Sequence, residues 1–529
     1  MSSFIPDNAP FSEEQRAWLN GFFSGLMGIQ PNMNPADAMV VAGISTDPVE
    51  SEEEEDFPWH DSSLPIVDRM ELAEGKPIER KLMAAMAQLD CGSCGYLCDT
   101  YSEAIAKGEE TNLGLCSPGG KETKKMIKTL LKEAGPVEPK NGATGGGTSS
   151  SEEAEQAGWS RKNPYTAKLI ESRPLNKDGS AKDTRHVAIE LSGSDLKYEA
   201  GDALGVYPTN CKELATMIVE SIGADANVPA KTPLANEKPL LEALCEDCCL
   251  RDPSDELLEL VINHTSDDEV AGQLKKMLDD GVPEGVDVLD ILQLATCSTL
   301  TATEFMETLE PLNPRLYSIA SSMKAVGDQV HLTIGKVSYE REGRVRKGVA
   351  STMFTDRMKP GQEVRVFPQP NHGGFTVPKD SATPMIMVGP GTGIAPFMAF
   401  LQERDAAKSS GKNWLFFGDQ KQATDFLYQE ELEGYCENGI LTKLDTAFSR
   451  DGDKKVYVQN RMLEHGAELW QWLQEGAHFY VCGDASRMAK DVHDALIQIV
   501  AQHGQMSNED ATAFVQEMSN DQRYVRDVY

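Results

Sequence analysis

The sequence predicts a multidomain chain of α/β and β character. A small, mainly helical cysteine-rich segment comes first, then a β-barrel domain interrupted by a helical insert, then a domain of alternating strands and helices. Three observations carry this expectation. Four of the eleven cysteines fall between residues 91 and 116, flanked by helical patterns. Strand-like runs (HVAIEL, QVHLTIGKV, EVRVF) bracket a helix-rich stretch at about 211–310. The apolar run PMIMV leads into a glycine-rich turn and a helical pattern.

A chain of 529 residues is too long for one core, and about three domains are expected. Its 40% hydrophobic and 25% charged content is that of an ordinary globular protein. No apolar run reaches the roughly 18 residues of a membrane span. The start MSSFIPDNAPFSEEQ lacks the basic and apolar regions of a secretory signal. A cytoplasmic protein without a membrane partner is expected. The net charge of −34 argues against nucleic acid, since a phosphate backbone would be repelled over most of the surface. Small anions would need a local basic pocket. In such a chain cysteines are metal ligands, reactive thiols or buried small residues more often than disulfides.

Residues 1–75 read as an arm and an acidic connector. In FSEEQRAWLNGFFSGLMG, Phe11, Trp18, Leu19, Phe22, Phe23 and Leu26 suit an amphipathic helix, with Ser12 and Gln15 forming a capping box. That stripe serves either its own core or a partner; the following ESEEEEDFPWHD suits a connector and leaves docking open. Residues 76–135 hold the cysteines between IERKLMAAMAQL and KETKKMIKTLLKEA. Residues 136–158, rich in Gly, Ser and Pro, read as a flexible linker with a reach of about 25 Å. A domain at 159–383 and another at 384–529 follow.

Cys91, Cys94, Cys98 and Cys116 have the spacing C-x2-C-x3-C-x17-C. Gly92 and Gly95 permit turns tight enough to point three sulfurs at one centre, and the remote fourth closes the cage. Structural zinc favours two separated knuckles, whereas three close thiolates and a distant one fit an iron–sulfur cluster better. A second knot, Cys245, Cys248 and Cys249, lies in a helical pattern. Cys245 and Cys249 fall on one helix face as buried small residues.

In PRLYSIASS, Arg315 offers a guanidinium fork for a pyrophosphate, Tyr317 a flat face for an aromatic ring and Ser318 a hydroxyl for a flavin edge. Gly348, Val349, Ala350, Ser351 and Thr352 let backbone N–H groups approach phosphate oxygens. In VGPGTGIAPF, Gly389, Gly391 and Gly393 leave room for a dinucleotide over a helix N-terminus, and Thr392 can donate a hydrogen bond. FSRDGDKKVYVQ concentrates Ser449, Arg450, Lys455, Tyr457 and Gln459 in an otherwise acidic chain. Such a basic pocket with an aromatic face favours the 2′-phosphate of NADPH over NADH. FYVCGDASRMAKDV places Cys482 at a strand end, and the sequence closes on Asp527 and Tyr529.

Two resemblances follow. CGSCGYLCDTYSEAIAKGEETNLGLCSPGG resembles the small [4Fe–4S] domain of ferredoxin-like B subunits of Rnf complexes, which implies that Cys91, Cys94, Cys98 and Cys116 ligate a [4Fe–4S] cluster. Residues 160–529, through RLYSIASS, GPGTGIAPF, KNWLFFG, KVYVQ, YVCGDASRMAKDV and RDVY, resemble the FAD/NADPH half of the cytochrome P450 reductase group. Within it they are similar to the flavoprotein subunits of NADPH-dependent sulfite reductase, as is the AWLNGFFSGL arm. The fold so implied is a ferredoxin–NADP reductase-like FAD β-barrel with a helical insert and a Rossmann-like NADP domain.

By this resemblance Arg315, Leu316, Tyr317, Ser318, Thr333, Ile334, Gly335 and Tyr339 hold FAD. Gly348, Val349, Ala350 and Ser351 take its pyrophosphate, and Tyr529 covers the ring system. Thr392, Ser449, Arg450, Lys455, Val456, Tyr457, Val458, Gln459 and Asp491 bind NADPH, while Ser318, Cys482 and Asp527 orient hydride transfer. The group's flavodoxin-like FMN domain has no counterpart: about 60 residues around the cysteines are too few for it. The expectation is an NADPH-dependent oxidoreductase in which a [4Fe–4S] domain takes the FMN domain's place. It delivers electrons to a sulfite reductase hemoprotein (beta) subunit, and the arm serves docking or homo-oligomer assembly. Delivery to ferredoxin, flavodoxin or another haem protein is the alternative.

Overall fold

The structure is a computed structural model that describes residues 57–60, 64–88, 96–110, 112–116, 119–134, 158–295, 300–371, 373–485 and 487–529. The expected arm helix, the linker, Cys91 and Cys94 lie outside the described residues. From Trp59 onward the described chain belongs to one compact unit.

The described residues open with the helices Ile66–Leu72, Ile78–Ala85, Cys98–Ala106 and Gly120–Ala134. Leu82, Met83, Ala84 and Ala85 are buried on the second, and the Thr123 hydroxyl of the fourth donates to Ala85 O at 2.7 Å. Tyr101, fully buried, donates its hydroxyl to Asn112 O (2.6 Å) and accepts from Leu115 N (3.2 Å). The loop carrying Cys116 is thereby tied to the helix that begins at Cys98.

The barrel is built from β1 (Tyr165–Pro174), β2 (Thr184–Glu190) and β3 (Ala203–Tyr207). After an insert holding the small hairpin β4 (Pro229–Lys231) and β5 (Glu237–Pro239), it continues with β6 (Arg315–Ser318) and β7 (Gln329–Gly335). The hairpin β8 (Ser338–Arg341) and β9 (Arg344–Lys347) then precedes β10 (Glu363–Gln369). The barrel sheet runs β6-β3-β10-β1-β2-β7, and an Ile319–Leu332 bridge brings its two ends together. Alternation turns Val187, Ile189, Leu204, Val206, Leu332 and Ile334 into one core. A bulge at Leu169/Glu171 bends β1 as closure requires.

The insert is helical because its starts are capped. Ser254 accepts from Leu257 N, Asp267 from Glu269 N and Val270 N, and Asp287 and Thr301 form capping boxes. Leu240, Leu244, Leu257, Val261, Leu289 and Phe305 build its separate core. The second cysteine knot departs from the sequence reading. Its helix ends at Glu246, so Cys248 and Cys249 lie beyond it. Cys248 is the one fully buried, with Cys245 and Cys249 only half-buried. Across the insert's outer side, the Arg344 and Arg346 guanidinium groups clamp Asp287 and Asp290, with contacts of 2.5–2.8 Å. On another side it meets the cysteine-bearing segment through Lys128–Asp255 (2.5 Å) and Lys124–Glu310.

The last part is a five-stranded parallel sheet of order β13-β12-β11-β14-β15. Its strands are β11 (Met385–Val388), β12 (Asn413–Asp419), β13 (Lys443–Phe448), β14 (His478–Gly483) and β15 (Tyr524–Val528). Every residue of β11 is buried, as expected of a central strand covered by helices on both faces. The strand order reverses between β11 and β14. A doubly wound sheet opens a ligand crevice at that reversal, beyond the strands' carboxyl ends.

Candidate active site

The reversal point faces the barrel. Between them lies a cleft of about 380 Å³ lined by Leu316, Tyr317, Ser318, Thr333, Gly335, Thr392, Asp527 and Tyr529. One hydrogen-bonded contact crosses it and a second lies on its sheet side. Ser318 Oγ donates to Asp527 Oδ2 at 2.8 Å, and the Thr392 and Tyr529 hydroxyls meet at 3.0 Å. Cys482 and Asp527 are register partners on β14 and β15, and the Cys482 thiol lies 3.8 Å from the same carboxylate oxygen. Tyr529 is held by its backbone: its N–H donates to Gly483 O (3.0 Å) and its carbonyl accepts from Ala485 N (3.2 Å). The residue is left exposed at the cleft mouth.

The electrostatics are those of a poorly hydrated wall. Desolvation raises the Asp527 carboxyl above the usual range, against the pull of the Ser318 and Cys482 hydrogen bonds. Burial, joined by the Asp527 charge, pushes the Cys482 thiol well up, so it stands as a neutral thiol.

The other residues named from the sequence are placed around this cleft or away from it. The Arg315 side chain donates to Asn313 O at 2.9 Å, outside the cleft lining. Tyr317 packs edge-on to Phe354. The Ile334 side chain turns into the barrel core, so only its backbone is offered between Thr333 and Gly335. Tyr339 is exposed on β8. Gly348 caps the short helix Val349–Thr352, and a Cβ there would come within 2.5 Å of Ser351 Oγ and 2.8 Å of Val337 Cβ. Ser351 Oγ accepts from Val337 N (3.1 Å), and Val337 lines the cleft, so this small-residue turn adjoins it. Val337, Asn371 and Phe375 were not singled out from the sequence. They reach the cleft from connecting segments, where no periodicity marks them.

At the carboxyl end of β11, a turn Gly391–Ile394 follows the strand and brings Thr392 to the cleft. A Cβ on Gly393 would lie 2.1 Å from Cys482 O, so glycine is what lets the two strand ends close up. Ser449 and Arg450 follow β13 and donate their backbone N–H groups to Asp419 O (2.9 Å) and Gln420 O (2.7 Å). Tyr457 stands exposed before the helix Val458–Glu464, and Gln459 donates to Asp491 (2.9 Å) on the helix Met488–Gly504. Val456 and Val458 turn their side chains to the core. Ser449, Arg450, Lys455, Tyr457, Gln459 and Asp491 are not among the residues lining the cleft at Ser318.

Cys98 and Cys116 are both buried. Among the described residues no three His, Cys, Asp or Glu side chains gather as a metal site; Cys91 and Cys94 fall outside them. No described helix is long and apolar enough to cross a membrane.

Residues 158–353 match the FAD binding domain family, and residues 387–494 the oxidoreductase NAD-binding domain family. This chain carries an FAD-binding domain and an oxidoreductase NAD-binding domain. The FAD-binding match takes in β1 to β9 with the insert, and the NAD-binding match spans β12 to β14 with the glycine-rich turn. Among curated relatives, the sulfite reductase [NADPH] flavoprotein alpha-component of Bacillus subtilis is 44% identical over 403 residues, 75% of this chain and 66% of that protein. The proteins of the same name from Aliivibrio fischeri and Vibrio cholerae are 45% identical over 383 residues and 41% over 410. These alignments cover 71% and 77% of this chain, and 62% and 66% of those proteins. The chain thus spans a little under two thirds of the length of the relatives it matches. The Ser318–Asp527 contact joins the FAD-binding domain to the strand that follows the NAD-binding match.

Proposed function

We propose that this chain is an NADPH-dependent flavoprotein reductase. Its electron path runs from NADPH to FAD, to a [4Fe–4S] cluster, and on to a sirohaem sulfite reductase subunit that reduces sulfite to sulfide in assimilatory sulfur metabolism. The carrying observation is Ser318 of the barrel bonded to Asp527 of the sheet, with Cys482 buried behind that carboxylate and Thr392 and Tyr529 at the cleft mouth. The cleft fits a flat ring system: it offers aromatic and small walls, several hydroxyls, the Asp527 carboxyl and the exposed aromatic residue Tyr529.

When bound, the flavin supplies the two-electron chemistry that takes hydride from a nicotinamide and the capacity to release electrons singly. The chain's part is to place the reactants. Arg315 and the turn at Gly348, Val349, Ala350 and Ser351 suit the FAD pyrophosphate, with Leu316, Tyr317, Thr333, Ile334, Gly335 and Tyr339 around the rest. The turn at Thr392, with Ser449, Arg450, Lys455, Val456, Tyr457, Val458, Gln459 and Asp491, suits NADPH. Ser318, Cys482 and Asp527 line the position of hydride transfer, where a hydroxyl, a neutral thiol and a carboxylate can meet a change of charge.

In this reading Cys91, Cys94, Cys98 and Cys116 ligate the cluster of an Rnf-B-like domain at 76–135. It stands between an arm at 1–75, which docks the hemoprotein or assembles copies, and a linker at 136–158. FAD is held by residues 159–383 and NADPH by 384–529, in a cytoplasmic enzyme. Anaerobic NADPH titration followed by electron paramagnetic resonance tests the path, with iron and acid-labile sulfide measured on the same sample. Bleaching of the flavin with a new reduced-cluster signal, and sulfide production once hemoprotein and sulfite are added, is the expected result. Bound flavin without iron, or iron that stays oxidised beside reduced flavin, overturns it.

A further inference from the structure

Behind the cleft, one side chain of the NAD-binding domain packs onto the outer face of the barrel. Tyr428 precedes the helix Gln429–Glu437 with φ 55° and ψ 29°, a left-handed conformation that bulky L residues rarely adopt. It is nevertheless buried, only 4% exposed. Its hydroxyl lies 2.7 Å from Thr333 Oγ1 and 3.1 Å from His186 Nδ1. Thr333 and His186 are directly paired across β7 and β2. Thr333 also lines the cleft, two residues before Gly335, where a Cβ would sit 3.2 Å from Thr392 Cγ2. A hydrophobic filler would need neither the strained backbone nor a hydroxyl with two partners.

The three groups form a chain with one direction. Burial, with His331 and Arg173 adding to it, lowers His186 to about 3, and burial first lowers its edge-on neighbour His331 to about 4. Both rings are therefore neutral at physiological pH. The His186 Nε2 atom lies 3.9 Å from Glu171, which favours the proton on that nitrogen and leaves Nδ1 to accept from the Tyr428 O–H. The Tyr428 oxygen then accepts from the Thr333 O–H. The Thr333 hydroxyl is thereby spent on the partner domain.

We infer that Tyr428 is a positioning residue for hydride transfer: by holding Thr333 from behind, it fixes the barrel wall of the cleft relative to the NAD-binding domain that delivers the nicotinamide. This rests on the functional reading above and adds a specific residue to it.

The test uses the full-length holoprotein and ferricyanide as acceptor. Tyr428→Phe is expected to lower kcat about tenfold, because small displacements of reacting partners are costly, while KM for NADPH stays within about twofold. FAD content should be unchanged, and the long-wavelength charge-transfer absorbance of the nicotinamide–flavin pair should weaken. Thr333→Val should reproduce the loss, Thr333→Ser should restore it, and the double variant Tyr428→Phe/Thr333→Val should be no worse than either alone. A Tyr428→Phe protein with wild-type kcat and charge-transfer absorbance overturns the inference, as do losses that multiply in the double variant. If Tyr428→Phe fails to retain FAD, the Thr333→Val and Thr333→Ser pair decides: equal kcat values for the two overturn it. A wild-type protein with no NADPH-dependent flavin reduction overturns the functional reading instead.

Discussion

Ser318 and Asp527 are 209 residues apart in sequence, yet the serine hydroxyl donates to the aspartate carboxylate at 2.8 Å, joining the barrel strand β6 to the edge strand β15. The contact places a carboxylate where water is scarce. Its raised pKa means that the folded chain holds this proton more tightly than the unfolded one. Ionised Asp527 therefore costs stability above its folded pKa, and the cost is relieved as the pH falls through that value.

Replacing Asp527 with Asn should separate its two effects. Thermal unfolding near neutral pH should occur at the same temperature or higher than in wild type, with the difference shrinking on acidification. NADPH-driven flavin reduction should fall about 100-fold, the scale on which a preorganised charge partner acts. Stopped-flow absorbance and calorimetry on the same preparations check both. A parallel loss of stability and rate would show that Asp527 only holds the fold.

Arg450 and Lys455 bear on nucleotide choice. Charge-assisted contacts contribute about 1.5–3 kcal/mol each, so removing both should raise KM for NADPH by a factor of roughly 100 or more. KM for NADH should rise by only a fewfold, since the extra phosphate is absent. Steady-state kinetics with both nucleotides decides, and equal losses would place the 2′-phosphate elsewhere.

Asp290 sets an acid limit for the insert. Although partial burial opposes its charge, the Asp287 backbone N–H and Arg344 hold its carboxyl below the usual range. That contribution is complete above the ordinary aspartate value of about 3.9 and is lost as the pH falls below it through the depressed value. Asp290→Asn should weaken the protein at neutral pH and flatten its acid-induced unfolding over that window, as followed by far-UV circular dichroism. An unaltered acid limb would assign the transition to other carboxylates.

Cys248 is a core residue. Cys248→Ser places a hydroxyl among Leu and Val side chains and should cost about 1–3 kcal/mol, with Cys248→Ala milder than Cys248→Ser. Iron and flavin content should stay at wild-type levels in whatever protein folds. Loss of metal in step with the substitution would instead make the second knot a ligand set.

The parts of this molecule readable in the sequence are those that local physics writes into short windows. The glycine-rich turn after β11 and the small-residue turn at Gly348 are such windows: in each, a Cβ would strike a neighbour, and the sequence shows the gap where the side chain is missing. The barrel strands declare themselves by alternation. What stayed hidden depends on tertiary register. Ile334, Val456 and Val458 sit within motifs but turn inward, because a strand or helix start presents only part of its residues to a ligand. The second knot was assigned to one helix face, but the helix stops at Glu246 and the chain reorients. Tyr428 carries no motif at all: its partners Thr333 and His186 are 95 and 242 residues away.

Strand β15 lies at the sheet edge and, among the described strands, pairs with β14 alone. The carboxylate at position 527 therefore depends on a single ladder, and local fraying there would part it from Ser318 while the barrel stayed folded.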